Sequence, residues 1–141
     1  MTGANREKLR RLVEQDAAVY NSGNVENLDE LYVEDWIDHS QGVRGIEALK
    51  RSIVELRKAF PDVSLALEDL LVEGDRVAAR ITMRGTHSGE YLGIKPTGRT
   101  VKVTGFEISK TRDGKYAETW GLLDIFSLLN QLGVQEMPRE T

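Results

Sequence analysis

The order of periodicities along the chain predicts an α+β fold. Helix-spaced apolar residues occupy the stretch up to Phe60, and alternating, strand-like segments occupy 63–124. Two turn signals, Glu73-Gly74-Asp75 and Arg112-Asp113-Gly114, cut the second half into antiparallel neighbours, because Gly and Asp supply the positive φ of tight hairpins. The 141 residues contain no repeat, low-complexity tract or linker, which predicts one domain over 1–141. Its core spans about 5–133, and 134–141 is a polar tail.

The first helix is expected from Asn5 to Asn21, where Leu9, Leu12, Val13, Ala17 and Tyr20 recur at helical spacing. Asn21-Ser22-Gly23-Asn24 is its stop signal. A shorter helix follows over Val25–Leu31. Then come Asp35-Trp36-Ile37-Asp38-His39 and a Gly-bearing turn. The third helix, Gly45 to Phe60, carries Ile46, Leu49, Ile53, Leu56 and Phe60 on one stripe and charged residues opposite. Pro61 ends it, since the residue before Pro resists helical dihedrals. Four strands are predicted: Val63–Val72, Arg76–His87, Arg99–Lys110 and Lys115–Asp124. A last amphipathic segment covers Ile125–Leu132. Both sets of apolar faces are buried most simply if the sheet curls around the helices.

Composition narrows the function classes. Hydrophobic residues make up 40% and charged residues 30%, the balance of a globular chain. A net charge of -4 argues against a nucleic-acid binder, which presents a basic surface. No apolar run approaches the roughly 20 residues of a membrane span, and the start lacks the apolar segment of a signal peptide. With no Cys, disulfides, thiolate metal sites and a cysteine nucleophile are excluded. A cytoplasmic protein fits these features. No P-loop or dinucleotide-binding Gly motif is present, so no nucleotide cofactor is expected.

The candidate chemistry lies in carboxylates and histidines. Strict alternation puts Tyr116, Glu118, Trp120, Leu122 and Asp124 on one face of the last strand. A carboxylate among apolar side chains has its charged form disfavoured, which tunes it towards acid/base work near neutrality. Asp124 carries two readings: N-cap of the last helix, accepting from the backbone of Phe126 or Ser127, or general acid/base. His87 continues the apolar face Val77, Ala79, Ile81, Met83 and Gly85. It is either a hydrogen-bonded core residue or a catalyst at the mouth of what that face encloses. His39, beside Asp38, has a surface turn as its default. Arg80 and Arg84 share a strand face as solvated or interface charge, or as an anion site. Two His without Cys leave a zinc site short of ligands, and only a carboxylate-assisted one would stay open.

One ordered series then stands out: Asp38-His39, Gly45, Ala59-Phe60-Pro61-Asp62, Glu73-Gly74-Asp75-Arg76-Val77, Gly85-Thr86-His87-Ser88-Gly89, Gly93-Ile94-Lys95-Pro96-Thr97-Gly98-Arg99, Asp113-Gly114-Lys115, Glu118-x-Trp120 and Asp124. It resembles the SnoaL-like polyketide cyclase family of the nuclear transport factor 2-like superfamily, over about residues 5–133. The resemblance implies a cone-shaped α+β barrel, a curved antiparallel sheet wrapped around N-terminal helices over a deep pocket. It also implies homodimers or larger homo-oligomers built through the sheet, and a small aromatic or polyketide-like ligand. It implies cofactor-independent closure of a ring by intramolecular aldol condensation, with Asp124 as general acid/base. His87, Asp38 and His39 match pocket positions, and a developing enolate oxygen needs a donor, for which His87 is the nearest candidate. Trp36, Trp120, Glu118, Met83 and Phe60 complete the expected substrate-binding set. The alternative is a non-catalytic ligand-binding domain on the same fold.

Overall fold

A computed structural model of the protein describes residues 2–134. The expected polar tail falls, apart from Val134, outside the described residues. Four helices and six strands follow in the order α1 (Thr2–Ser22), α2 (Leu28–Leu31, after a single 3-10 turn at Val25–Asn27), β1 (Tyr32–Asp38), β2 (Val43–Arg44), α3 (Ile46–Ala59), β3 (Ser64–Glu73), β4 (Arg76–Thr86), β5 (Thr100–Arg112), β6 (Lys115–Leu123) and α4 (Ile125–Gln131). The helices and the four long strands lie where their periodicities put them. The fold is α+β, as expected.

The sheet differs from expectation in three ways. It has six strands in the order β2-β1-β6-β5-β4-β3, because the Asp35–His39 region is strand and not a helix-to-turn connection. Trp36 and Tyr32 are its buried residues. It is mixed and not purely antiparallel, since β1 runs parallel to β6 with Ile37 opposite Glu118. It is also an open curved sheet and not a closed barrel, with β2 and β3 as its edges.

The β3 edge is covered by α1. Asn21 donates from Nδ2 to the Leu65 carbonyl at 3.2 Å and accepts the Leu65 N–H at 2.7 Å. Asn5 holds the Gly74 carbonyl at 2.9 Å at the other end. Pairing of this kind blunts an edge that would otherwise recruit another strand. At the α3–β3 corner, both oxygens of Asp62 accept from Thr86, one from its N–H and one from its hydroxyl, each at 2.7 Å. This fixes the start of β3 on the end of β4.

Two bulges decide which side chains face inwards. In β3, Val63, Leu65 and Leu67 point in, and the register shift between Leu67 and Asp69 hands that role to Leu70 and Val72. In β5/β6 the shift between Lys110 and Thr111 does the same. Tyr116 and Ala117 are then both buried, and beyond them Thr119, Gly121 and Leu123 turn to the concave side. The apolar interior falls into two clusters. One joins α1 and α2 to β1, β3 and β4, and the other packs Phe60, Met83, Val101 and Val103 against Leu128 and Leu132 of the α4 region.

Candidate functional site: a carboxyl-lined cavity under the sheet

Between the helices and the concave side of the sheet lies a cavity of about 210 Å³. Helix α1 contributes Val13, Asp16, Ala17 and Tyr20; α3 contributes Leu49 and Leu56. The sheet contributes Tyr32, Trp36 and Asp38 from β1, Ile81 and Met83 from β4, Glu107 from β5 and Thr119 and Gly121 from β6. Among the described residues no Lys, Arg or His is in the lining.

Three carboxyl groups meet this space. Asp16 lies on the buried stripe of α1, one turn beyond Leu12 and Val13, and is only 8% exposed. Tyr32 donates its hydroxyl to Asp16 Oδ1 at 2.8 Å. Burial, reinforced by the nearby Glu107 charge and opposed by the Tyr32 hydrogen bond, pushes Asp16 up to about 8. Glu107 sits on the inward face of β5 with Val103, Gly105 and Ser109. It receives no hydrogen bond among the described residues, and burial, with the charge of Asp38, raises it to about 7. Asp38 lines the opposite end of β1. The phenols of Tyr20 and Tyr32 are held far above their usual range, first by burial and then by these acids. They therefore stay protonated as donors. Thr119 Oγ1 takes the Trp36 indole N–H at 3.0 Å and pairs with Ser109 Oγ at 3.0 Å, which fixes the indole as a wall.

Two glycines shape the sheet side. A Cβ on Gly105 would meet Ile81 at 3.1 Å and Leu123 at 3.3 Å, so that side of the cavity is already full. A Cβ on Gly121 would lie 3.4 Å from the Glu107 Cβ, an ordinary contact, so a methyl is just accommodated against Glu107 without displacing it. The Gly121 N–H is held by Ser40 Oγ at 2.7 Å. Through this bond, the short 39–42 turn is pinned at the rim, where Gln41 joins the lining.

The residues singled out in the sequence divide three ways. Trp36 and Met83 line the cavity. Phe60 and His87 are fully buried together in the second cluster, their rings 5.5 Å apart, and not at the cavity mouth. His87 Nδ1 accepts the Thr97 N–H at 3.2 Å and contacts its hydroxyl at 3.0 Å. The His87 backbone also pairs with Gly98 and Arg99, so this residue organises the 88–98 loop. The expected single face of β6 is corrected by the bulge: Tyr116 goes inside while Glu118, Trp120 and Leu122 go to the outer surface. There His39 stacks on Trp120 at 4.5 Å and bonds Glu118 Oε1 at 2.9 Å. Asp124 is exposed, outside the lining, and its Oδ1 caps α4 by accepting the Ser127 N–H at 3.0 Å. Arg80 pairs with Asp69 at 2.7 Å on the outer face.

Asp16 and Glu107 escaped the sequence reading although both carried a signal. Asp16 breaks the stripe Leu9, Leu12, Val13, and Glu107 breaks the inward row Val101, Val103, Gly105. A carboxylate in an apolar periodic position is the mark of a functional group or a paired one.

A profile of the SnoaL-like polyketide cyclase family matches residues 10–132. The chain belongs to that family. It is 27% identical over 132 residues to the aklanonic acid methyl ester cyclase DauD of Streptomyces sp. (strain C5), covering 89% of this chain and 79% of that one. Among solved structures it is similar to TsrD from Streptomyces laurentii, at 35% identity and a TM-score of 0.86, over 92% of this chain and 97% of that one. It is similar also to IdmH from Streptomyces antibioticus, at 32% identity and a TM-score of 0.80, over 89% of this family member and 99% of IdmH. Among the described residues no helix of this SnoaL-like protein is long and apolar enough to cross a membrane.

Proposed function

We propose that this SnoaL-like protein is a cofactor-independent acid/base catalyst that closes a ring by intramolecular aldol condensation of a small carbonyl compound. The observation that carries the reading is Glu107, a carboxyl with no hydrogen-bond partner among the described residues, on the wall of an otherwise largely apolar cavity and lifted by burial to about 7. An exposed carboxylate is too weak a base to remove a proton from carbon, and desolvation strengthens it. In this reading Glu107 removes the proton from a carbon beside a carbonyl, and the Tyr20 hydroxyl, protonated and on the lining, donates to the enolate oxygen. The walls hold donor and acceptor carbons in one conformation. Family membership and the cyclase names of the curated relatives support the reaction class.

Size bounds the ligand. A dry cavity of about 150 Å³ holds a benzene, and drug-sized ligands take roughly 300–1,000 Å³. At about 210 Å³ this cavity encloses the reacting one or two rings of a ligand, and a larger remainder extends through the mouth past Gln41.

The test is Glu107→Gln, which keeps shape and removes the base. Proton exchange next to the carbonyl of a bound ketone falls by about 10²–10⁴-fold, the usual worth of general acid/base catalysis. Asp124→Asn, measured in parallel, leaves the exchange unchanged if Asp124 serves only as the cap; a comparable loss there moves the base to Asp124.

The same reading includes a homodimer through the outer face of the sheet. Two cross-strand rows run over it, Leu71-Ala78-Ile108-Trp120 and Asp69-Arg80-Phe106-Leu122. In them Leu71, Phe106 and Leu122 are 71%, 61% and 77% exposed, apolar side chains that a second copy would cover.

A further inference from the structure

We infer that Asp16, held by Tyr32, is a second catalytic group: it delivers a proton to the acceptor carbonyl oxygen while Glu107 removes one from the donor carbon. The inference rests on the aldol reading above and adds to it the acid that the reaction needs. An aldol closure turns a carbonyl oxygen into an alkoxide, and with no Lys, Arg or His among the described residues of the lining, that charge has no cation among them to meet it. A proton donor on the wall is the remaining device.

Asp16 is built for this. It faces the same cavity as Glu107, from the helix side and not the sheet side. The Tyr32 hydroxyl occupies Oδ1, which leaves Oδ2 to carry the acid proton. Asp16 and Glu107 feel each other's charge, so the two together hold on to a proton into the neutral range. Asp16 is the more enclosed of the two and is fixed by a hydrogen bond, while Glu107 has no partner among the described residues. This division suits a seated acid and a free base. Asp38 and the phenols of Tyr20 and Tyr32 are the other ionisable groups on the lining.

The step balances. Glu107 carboxylate takes a proton from the carbon beside the donor carbonyl. The released electron pair forms the new carbon–carbon bond to the acceptor carbonyl carbon. The π pair of that carbonyl moves to its oxygen, which takes the proton of the Asp16 carboxyl. Glu107 ends protonated and Asp16 ionised, and transfer of one proton from Glu107 back to Asp16 restores the start without an external acid or base.

Two probes separate this from the base reading. Hydrogen–deuterium exchange beside the carbonyl of 4-phenylbutan-2-one needs only a base. Cleavage of 4-hydroxy-4-phenylbutan-2-one to benzaldehyde and acetone, the reverse aldol, needs both groups, because Asp16 must now accept the hydroxyl proton. The unaltered protein is expected to catalyse both. Glu107→Gln loses both by about 10²-fold or more, and Asp16→Asn loses the cleavage by a similar factor while keeping the exchange within about threefold. Retained exchange also reports that the Asp16→Asn cavity is folded. Tyr32→Phe, which removes the bond that seats Asp16, lowers the cleavage more than the exchange and moves the basic limb of the remaining cleavage pH profile upwards, because Asp16 loses the hydrogen bond that favours its ionised form. Cleavage at full rate in Asp16→Asn, exchange without cleavage in the unaltered protein, or equal loss of exchange and cleavage in Asp16→Asn overturns the inference. Absence of exchange in the unaltered protein, or full exchange in Glu107→Gln, overturns the base reading beneath it.

Discussion

A carboxyl enclosed by apolar walls weakens a fold more as the pH rises, because ionising it there costs more than in water. Asp16 and Glu107 stand at about 8 and about 7, above the 3.8 and 4.5 that they have when exposed. Between those limits the folded chain binds more protons than the unfolded chain, so stability is lost as pH rises from about 4 to about 8. The melting temperature is expected to be lower at pH 8.5 than at pH 5.5, and the double variant Asp16→Asn, Glu107→Gln flattens that dependence. A melting temperature that rises with pH in the unaltered protein would contradict the burial of these groups. Both acids were legible in principle, as polar breaks in apolar rows, but a single break also fits a surface position. What a sequence row lacks is the second row facing it, and only the placing of α1 along β3, across the concave side of the sheet, brings Asp16 and Glu107 to one space. The reverse holds for Asp124, whose place before the apolar run of α4 already carried the cap reading.

Strand alternation is reliable only between bulges, and β6 illustrates the point. Its inward face is Ala117, Thr119, Gly121 and Leu123, the opposite of the row expected to carry the carboxylates and the indole, because the extra residue near Tyr116 puts both Tyr116 and Ala117 inside. Nothing in Lys115–Ala117 marks that bulge, in which two residues of β6 oppose one of β5. At the other end of β6, Asp124 makes a checkable contribution to α4. Asp124→Ala removes the acceptor for the Ser127 N–H and is expected to cost about 1 kcal/mol in chemical denaturation, whereas Asn retains the cap. A tighter constraint holds the 88–98 loop to α3. The Ser88 and Gly89 N–H groups both bond the Ala59 carbonyl, and a Cβ at Gly89 would lie 2.2 Å from the Lys58 carbonyl oxygen. Gly89→Ala therefore has to push the loop off the helix. A loss of about 1–3 kcal/mol is expected, in the range of overpacked sites, with faster amide exchange confined to the loop. An unchanged denaturation midpoint would mean that the loop shifts at no cost.

For the whole molecule, the element order was legible because each half keeps one period over long stretches, and the sheet's curl followed from the need to cover α1 and α3. The parallel pairing of β1 with β6 was not legible, since a short strand between a helix and a turn has too few residues to display alternation. The outer face makes its own prediction. If the rows containing Phe106 and Leu122 meet a second copy, light scattering at micromolar concentration gives the mass of a dimer, and Leu122→Asp with Phe106→Asp gives that of a folded monomer. A monomeric unaltered protein would leave that apolar surface without its occupant. Gly121 looks the other way from the same strand, and its place has a consequence for how such a scaffold diversifies. Its backbone needs no glycine, its N–H stays bonded to Ser40 whatever side chain follows, and a Cβ there would rest in ordinary contact with Glu107. A descendant could therefore acquire a hydroxyl, a carboxyl or a thiol next to the base by one codon change, and so inherit a new repertoire of substrates on an unaltered frame.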